Sequence, residues 1–524
     1  MQSYSLTIDK FLDHASKWFD KKEIVAVSNN TEVVNFNYQT LRERSNLLSG
    51  ALLTLGLCKG DRIATLAWNT QHHLEMYYAT MGIGLICHTL NPRFSANHLI
   101  SILNEAGNIA IAVSSNLLPF LKEIISECPA LRWVIVMDDT EAVLELGEDD
   151  VEIWQHDVLI EQCGSQVEWG GFDENTPAGL CYTSGTTGKP KGVLYSHRSN
   201  YLHTLRTLQA DAIALTANDV LLIAVPMFHA NAWGLPFSAP AVGAKMVLPG
   251  RYSDGESLAK LMLNQKVTVA AGVQTVWLSV MEYLDETNGH LPDLKRILIG
   301  GSKCPEALLL RIAKRLGVQV QTSWGMTELS PLGTISPPNA TADFNATAGR
   351  PPMGVDLKLT DVNGVTLTEQ RGVVGHLKVK GSSVIDRYYK SDINILDEDG
   401  YFDTGDLAIL DEQGKLTICG RSKDLIKSGG EWINPVEVEE VASQHPYVGQ
   451  VAVIGRKDDK WGERPVLIVE VIPGCELQEL TLRAFLKGKM PDWWLPDAII
   501  QVEKMPVAAT GKIDKLRLSN KYKR

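Results

Sequence analysis

The sequence predicts an α/β protein that combines layered α/β sheets, a small β-barrel and a smaller α+β unit at the C-terminus. From residue 7 to about 350, buried strand-like runs alternate with amphipathic helical segments, a pattern typical of parallel sheets. From 351 to 420, short alternating runs are separated by Asn-Gly, Asp-Gly and Gln-Gly turns, which indicates antiparallel pairing. The last hundred residues return to mixed helix and strand signals.

Hydrophobic periodicity places the first elements. Leucines recur at helical spacing between Leu41 and Leu52, and a second helix begins at Pro305 and ends before Gly317. Short apolar runs indicate buried strands at 62–67, 109–113, 133–137, 220–225, 267–271 and 296–299.

The glycine-rich, charged stretch Gly420–Pro435 is the best candidate for a domain boundary. Before it, the alternating run at 375–380 belongs to the small β-barrel. After it, helices are expected at 436–444 and 481–489, and strands at 451–454 and 466–471. We therefore expect an N-terminal domain at 1–421, with subdomains at about 1–175, 176–350 and 351–421, and a C-terminal domain at 422–524.

Composition excludes several classes of protein. Of the 524 residues, 44% are hydrophobic and 21% charged, as in ordinary globular proteins. A net charge of −12 argues against a nucleic-acid partner. The eight cysteines are scattered without metal-type spacing, and the longest apolar tract, 220–250, contains His229, Asn231 and Lys245. No signal peptide is visible, so we expect a cytoplasmic protein without an integral membrane segment.

The segment Tyr182–Val193 is suited to a polyphosphate. Its glycines allow backbone N–H groups to converge on an anion, while its hydroxyls and lysines add donors and charge. A Walker A loop would need glycine in place of Thr183 and serine or threonine in place of Pro190, so a kinase-like P-loop is excluded. The alternative is a solvated linker rich in Gly, Ser and Thr.

Two later segments carry complementary chemistry. In Trp324–Glu328 the indole offers a flat face to a purine, Thr327 a donor to phosphate, and Glu328 an oxygen ligand for Mg²⁺. Asp406, after a Thr-Gly turn, is placed to accept ribose hydroxyls. The alternatives are an aromatic packed at a strand end and an aspartate that forms a turn.

With these motifs in this order, followed by GRSKD at 420–424 and ATGK at 509–512, the chain resembles the acyl-adenylate-forming enzymes. That family includes acyl-CoA synthetases, firefly luciferase and the adenylation domains of peptide synthetases, and the resemblance covers nearly the whole chain. It implies that the protein uses ATP, Mg²⁺ and coenzyme A to convert a carboxylic acid first to an acyl-AMP and then to a thioester. AMP and pyrophosphate are released.

The resemblance assigns roles residue by residue. Lys512 would bridge the acid and the α-phosphate, and Thr327 would contact that phosphate. Trp324 replaces the family's usual tyrosine beside adenine, and Asp406 with Arg421 would bind the ribose. Glu328 and Thr187 would hold Mg²⁺. The β- and γ-phosphate loop would be formed by Thr183, Ser184, Gly185, Thr186, Thr187, Gly188 and Lys191. Further nucleotide contacts are expected from Gly301, Ser302, Ser323 and Gly325.

The resemblance also implies movement. The family rotates its C-terminal domain between the two half-reactions about the position of Lys423, so we expect a mobile C-terminal domain. Gly429 and Gly430 would line a tunnel for the thiol. The alternative is that the segment Ser428–Gly430 is a domain linker, and this interpretation is compatible with a role in the tunnel. Similar fatty-acyl enzymes are often dimers, which makes a homodimer possible.

The acid is the least determined feature. Pro226–Pro236 resembles the acyl-pocket entrance of fatty-acyl-CoA synthetases, with His229 beside the carboxylate and Trp233 on the wall or as a gate. Amino-acid-activating relatives carry aspartate at the position of His229, which argues against amino acids. The facing wall would include Gly300, Gly301 and Lys303, where small residues are usual in place of Lys303.

We therefore predict ATP-dependent CoA ligation of an apolar acid, most simply a medium- or long-chain fatty acid. The alternatives are a short thioether acid resembling 3-methylthiopropionate, or an aryl acid. A non-catalytic nucleotide-binding sensor would be indicated by loss of Lys512 or Glu328, and both residues are present.

Overall fold

The structure is a computed structural model. It describes residues 1–138, 151–183, 190–301, 304, 306–340, 347–429, 431–472, 474–508 and 513–522.

The first of two large sheets contains the strands predicted at 62–67, 109–113 and 133–137. Its seven strands are β3 (Arg62–Leu66), β4 (Ile86–Leu90), β5 (Ala110–Val113), β6 (Trp133–Val136), β7 (Glu152–Gln155), β8 (Pro177–Thr183) and β9 (Lys191–Ser196). They run in the order β7-β6-β5-β3-β4-β8-β9. All pairs are parallel except β8 with β9, which form an antiparallel hairpin.

The second large sheet has eight strands in the order β15-β14-β13-β12-β10-β11-β1-β2. These strands are β1 (Glu23–Val27), β2 (Val33–Asn37), β10 (Val220–Ile223), β11 (Lys245–Leu248), β12 (Val269–Val273), β13 (Arg296–Gly300), β14 (Gln319–Gly325) and β15 (Leu332–Ile335). The two edge strands, β2 and β15, pair antiparallel with their neighbours.

The sheets do not follow the predicted subdomain boundary near residue 175. Strands β1 and β2, from the start of the chain, pair with β11 of the second sheet. Strands β8 and β9, which come after residue 175, belong to the first sheet. The subdomain prediction is corrected here, because order along the chain does not determine which sheet a buried strand joins.

Helices cover both sheets and lie between them. They are α1 (Asp9–Trp18), α2 (Tyr38–Thr54), α3 (Gln71–Gly82), α4 (Ala96–Ala106), α5 (Leu118–Ile124), α6 (His156–Cys163), α7 (His197–Thr207), α8 (Ala230–Trp233), α9 (Leu235–Val242), α10 (Gly255–Gln265), α11 (Gln274–Thr287) and α12 (Glu306–Leu316). Across the described ranges, no helix combines the length and apolar character that crossing a membrane requires.

Helix α3 is the central helix, and every residue from His73 to Gly82 is buried. Tyr77 and Tyr78 pack into the apolar cluster shared with the second sheet, whereas Met76 and Ala79 pack against the first. The Tyr78 hydroxyl also donates to the Pro236 carbonyl at 2.8 Å. One helix therefore supplies core to both sheets and fixes their separation.

A third, smaller sheet follows at the place predicted for a small antiparallel barrel or sheet, and in the described residues it is an open sheet, because β16 and β19 do not pair. Its strands are β16 (Val355–Thr360), β17 (Val374–Gly381), β18 (Phe402–Leu410) and β19 (Leu416–Arg421). Successive strands pair antiparallel, which gives a four-stranded sheet in sequence order. Its apolar face encloses Trp324, near the end of β14, and Leu329, which comes shortly after that strand.

The C-terminal unit is a five-stranded sheet with helices on both faces. Its elements are β20 (Ile426–Ser428), β21 (Glu431–Ile433), α13 (Pro435–Ser443), β22 (Val448–Asp458), β23 (Gly462–Val471), α14 (Glu479–Leu486), β24 (Ala498–Val502) and α15 (Lys515–Tyr522). Strand β19 of the small sheet ends at Arg421 and β20 begins at Ile426. This spacing is compatible with a domain boundary at 421/422.

A short segment around Gly349 joins the second large sheet to the small sheet. Arg350 exchanges two 3.0 Å backbone hydrogen bonds with Ile335 of β15, and the Gly349 carbonyl accepts from Leu416 of β19 at 2.8 Å. Gly349 has a φ of +80°, and a Cβ there would lie 1.9 Å from the Ile335 carbonyl carbon. Only glycine fits this junction.

We therefore predict that Gly349→Ala destabilises the protein by about 2–5 kcal/mol, the sum of left-handed strain and overpacking. The matched control is Gly317→Ala, which has a φ of +66° but open space around the added methyl group. The control should lose only about 1–2 kcal/mol, from strain alone. Urea unfolding followed by circular dichroism measures both variants, and equal losses would contradict the close contact at Gly349.

Candidate active site

A cleft of about 830 Å³ lies where all four units meet. The first sheet contributes Lys191, the second Leu298, the small sheet Arg421 and the C-terminal unit Ile513. Leu298 lies in β13, two residues before that parallel strand ends at Gly300. Ligands of open α/β sheets bind at the carboxyl ends of the strands. The cleft is therefore the candidate active site.

The described ends of the predicted polyphosphate segment belong to β8 and β9 and line this cleft. Thr183, the last residue of β8, is the register partner of Lys191, the first residue of β9, and both line the cleft. The Lys191 ammonium lies 4.7 Å from the centroid of the Tyr388 ring. The loop residues predicted to contact phosphate lie outside the described residues: Ser184, Gly185, Thr186, Thr187 and Gly188.

Glu328 lies in a 3-10 helix, Thr327–Leu329, between strands β14 and β15 of the second large sheet. Its side chain lines the cleft although the residue is only 7% exposed. The Tyr388 hydroxyl donates to Glu328 Oε1 at 3.0 Å. Nearby, the Tyr195 hydroxyl donates to the Thr327 carbonyl at 2.8 Å and fixes the backbone of this turn.

The electrostatic environment of Glu328 is suited to a cation. Burial raises the pKa of this carboxyl, while the hydrogen bond from Tyr388 and the charges of Arg421 and Lys191 oppose the rise. The carboxylate is therefore only partly compensated by the protein. A divalent cation would add positive charge, and carboxylate oxygen is the ligand type that Mg²⁺ prefers.

The structure brings together Trp324, Asp406 and Arg421, the three residues that the resemblance assigns to adenine and ribose. Trp324 Nε1 donates to Asp406 Oδ2 at 2.9 Å, and Arg421 Nε pairs with Asp406 Oδ1 at 2.8 Å. The indole packs over Gly333, where a Cβ would lie 2.3 Å from its Cζ3 atom. Trp324 is 9% exposed and lines the cleft, while its edge orients Asp406.

Three small residues complete this side of the cleft. Gly301, Ser323 and Gly325 all line it, as predicted for nucleotide contacts. A Cβ on Gly325 would lie 2.2 Å from the Pro331 carbonyl oxygen, so the close approach of this turn requires glycine. Ser302 lies outside the described residues.

His229 and Trp233 line the cleft from the segment that follows the second sheet's β10. The five residues Ala230–Gly234 all have positive φ, between 45° and 74°, so α8 (Ala230–Trp233) is a single left-handed turn rather than a right-handed helix. It directs the Trp233 ring toward the end of β13, where a Cβ on Gly300 would lie 3.1 Å from Trp233 Cη2. Lys303, predicted on the facing wall, lies outside the described residues.

The structure adds residues that sequence reasoning missed. One side chain of the apolar wall, Phe228, lies in the segment Pro226–Pro236 that was predicted at the acyl pocket. The other four come from separate segments of the chain: Ile213, Leu298, Leu332 and Ile335. No motif marks them, because each looks like an ordinary core residue in its own segment. Tyr388, the partner of Glu328, was also missed, since no pattern in its neighbourhood links it to a motif.

The C-terminal unit forms one side of the cleft. Lys423, the predicted hinge, lines it, as do Ala508 and Ile513. Gly429 is not among the cleft residues; it has a φ of +60° and its N–H donates to the Trp461 carbonyl at 2.8 Å. Gly430 and the predicted catalytic Lys512 lie outside the described residues.

Comparison with known families gives two matches that together span most of the chain. Residues 11–389 match the AMP-binding enzyme family. Residues 437–512 match the C-terminal domain of AMP-binding enzymes.

Curated relatives match over the whole chain. The medium-chain-fatty-acid–CoA ligase of Ectopseudomonas oleovorans is 40% identical, over 100% of this chain and 97% of that protein. The 3-methylmercaptopropionyl-CoA ligase of Ruegeria lacuscaerulensis is 40% identical, over 100% and 98%. The long-chain-fatty-acid–CoA ligase of Thermus thermophilus is 37% identical, over 100% and 97%.

Among solved structures, the anthranilate CoA ligase AuaEII in complex with anthranoyl-AMP aligns with a TM-score of 0.89. It covers 100% of this chain and 98% of that chain at 22% identity, a likeness that concerns the fold. The o-succinylbenzoate CoA synthetase of Bacillus subtilis, in complex with its acyl-adenylate intermediate, aligns at 0.82 with 25% identity, over 97% of each chain.

The burial of Glu328 predicts how the stability of the protein depends on pH. Its folded-state pKa lies above the ordinary value of 4.5, so the folded protein binds a proton there that the unfolded chain releases. Its contribution to stability therefore falls as pH rises between those two pKa values. Glu328→Gln removes this fall, so the variant should gain stability over wild type from about pH 5 to pH 8, by about 1.4 kcal/mol for each unit by which the pKa is raised.

Urea unfolding at the two pH values measures the difference. The matched control is the exposed Glu398→Gln, which should change stability by less than about 0.5 kcal/mol at either pH. A Glu328→Gln variant whose advantage shrinks toward pH 8 would show that the carboxylate is not destabilised by burial.

Proposed function

Since this chain belongs to the AMP-binding enzyme family, as an AMP-forming acid–CoA ligase that uses ATP and coenzyme A, we propose that its acid is a medium- or long-chain fatty acid. The observation that carries this substrate is the apolar wall of the cleft beside Trp233. Each buried methylene of a ligand contributes about 0.8 kcal/mol. Such a wall favours an extended apolar chain.

A short thioether acid is the second candidate. The Ruegeria relative, a 3-methylmercaptopropionyl-CoA ligase, is as similar to this chain as the medium-chain ligase is. A short acid, or an aryl acid like that of the aligned anthranilate enzyme, would fill only part of the apolar wall. We therefore rank the short thioether acid and the aryl acid below a fatty acid as candidate substrates.

The first half-reaction joins two anions, the acid carboxylate and the α-phosphate of ATP. The protein must orient both and reduce their repulsion. We assign the ribose to Asp406 with Arg421, the α-phosphate to Thr327, and the distal phosphates to the loop that begins at Thr183 and ends at Lys191. The carboxylate oxygen attacks phosphorus, the bond to the pyrophosphate oxygen breaks, and an acyl-AMP forms.

Lys512 is assigned the bridge between the acid and the α-phosphate. Lys512 directly precedes Ile513 in the sequence, and Ile513 lines the cleft, which supports this role. Glu328 together with Thr187 would hold Mg²⁺, which when bound neutralises charge on the phosphates of ATP. His229 lies on the cleft wall next to the apolar side chains and is assigned to the carboxylate end of the acid.

In the second half-reaction, the coenzyme A sulfur attacks the acyl carbonyl and AMP leaves. We propose that the C-terminal domain, residues 422–524, rotates about Lys423 between the two steps, and that Gly429 and Gly430 then line the thiol path. Gly429 lies outside the cleft in the present arrangement, which fits a role after rotation. We further propose that the enzyme is cytoplasmic and homodimeric and has no nucleic-acid partner.

A panel of free acids tests the substrate. With saturating ATP and coenzyme A, kcat/KM for AMP release should rise about fourfold per methylene until the apolar wall is filled. Reactions without coenzyme A are the control, because release that persists without the thiol is hydrolysis. A maximum at 3-methylthiopropionate or at benzoate would overturn the fatty-acid assignment in favour of the corresponding alternative.

Lys512 makes a separate prediction. Lys512→Ala should reduce acid-dependent ATP–pyrophosphate exchange by at least about a hundredfold, because a charge that stabilises the transition state is lost. Thioester formation from preformed acyl-AMP and coenzyme A should be retained. The exposed Lys504→Ala is the matched control and should leave both reactions unchanged. Unchanged exchange in Lys512→Ala would refute the assigned role.

A further inference from the structure

A cluster of histidine and carboxylate side chains lies outside the cleft. His72 stands in the first turn of α3, and His156 and Asp157 begin α6. None of these three residues lines the cleft. They are called here the two-histidine cluster, and the proposed ligase reaction assigns them no role.

The three side chains converge on one point. Each offers a ligand atom, and these atoms all lie within 4.8 Å of one another. His156 Nδ1 is 3.2 Å from Asp157 Oδ1, and His72 Nε2 is 3.8 Å from Asp157 Oδ2. The two imidazole rings meet edge to face, with centroids 4.7 Å apart. Two ring nitrogens thus face the same carboxylate.

The other nitrogen of each ring also faces a carboxylate. His156 Nε2 is 3.4 Å from Glu75 Oε2, and His72 Nδ1 is 3.8 Å from Asp138 Oδ1. The His156 side chain is fully buried, yet its Nε2 has no hydrogen-bond partner. A neutral imidazole carries one N–H, so one nitrogen of each ring directs a lone pair at a negative oxygen.

The charges around the cluster do not balance. Arg44 donates to both oxygens of the fully buried Glu75, at 2.6 and 3.1 Å, and to Asp157 at 2.5 Å. Together with Asp138 beside His72, the cluster holds three carboxylates and one guanidinium, which leaves two negative charges when both rings are neutral. Buried charge of this kind needs a counter-charge.

We propose that His72, His156 and Asp157 bind a divalent transition metal ion of the Zn²⁺ type. Two imidazole nitrogens and one carboxylate oxygen are a common ligand set for Zn²⁺, with a fourth position for water. The metal would occupy the side that faces Asp157. Glu75 and Asp138 would then accept the outer N–H groups, as carboxylates do behind histidine ligands. The ion would tie α3 to α6.

Zn²⁺ binding to the full-length protein tests this site. The protein is stripped with EDTA, dialysed, and titrated with Zn²⁺ against a chromophoric chelator, without nucleotide. We expect one equivalent bound per chain and a higher melting temperature. His72→Gln and Asp157→Asn should each weaken binding at least about tenfold and abolish the melting shift. Mg²⁺ in place of Zn²⁺ should give no shift.

The matched control is His290→Gln, an exposed histidine outside the cluster, which should bind Zn²⁺ as wild type does. Circular dichroism of the metal-free variants establishes that each is folded. Both cluster residues are partly exposed, with side chains 21% and 37% accessible, so their substitution is compatible with folding. Failure of wild type to bind Zn²⁺ at micromolar concentration overturns the proposal in favour of protonated histidines. Undiminished binding in either cluster variant overturns it by placing the zinc elsewhere.

Discussion

The buried carboxylate of Asp406 connects the parts of the molecule that the reaction uses together. One oxygen accepts from Trp324, at the end of the second large sheet, and the other pairs with Arg421, at the end of the small sheet. Arg421 is held again by the Thr404 carbonyl at 2.9 Å. Because Arg421 is anchored twice on the N-terminal side, any rotation of the C-terminal unit must begin after it. The nucleoside site and the proposed hinge thus share one constraint.

Much of this site could be predicted because its polar residues occur in compact motifs. Trp324, Thr327 and Glu328 are adjacent in the chain, and their distance from Asp406 and Arg421 follows a family pattern. For Trp324, however, the sequence predicted only one of its two contacts. Its ring was expected to present a face to adenine, but the hydrogen bond from its edge to Asp406 depends on a fold that brings β14 beside β18.

The unpredicted features depend on contacts between distant segments. Strands β1 and β2 join the second sheet because they pack with α3 in one apolar cluster, and no pattern in their own sequence indicates this pairing. Tyr388 reaches Glu328 across sixty residues. The two-histidine cluster draws on α3 and α6, and neither segment alone carries a motif that indicates a metal site. Metal-type spacing in the chain finds only sites whose ligands are neighbours in sequence.

The left-handed turn at Ala230–Gly234 and the position of Gly429 show what the two half-reactions require of the fold. Four non-glycine residues in that turn cost about 1–2 kcal/mol each, and the surrounding packing must offset this strain. This turn holds the Trp233 ring against Gly300, and so fixes the wall of the cleft that we propose for the acid. Gly429, by contrast, is bonded to Trp461 within the C-terminal unit and therefore travels with it. The proposed acid site beside Trp233 lies on one side and the proposed thiol path at Gly429 on the other. This arrangement would allow acyl-AMP to stay in place while the C-terminal domain rotates.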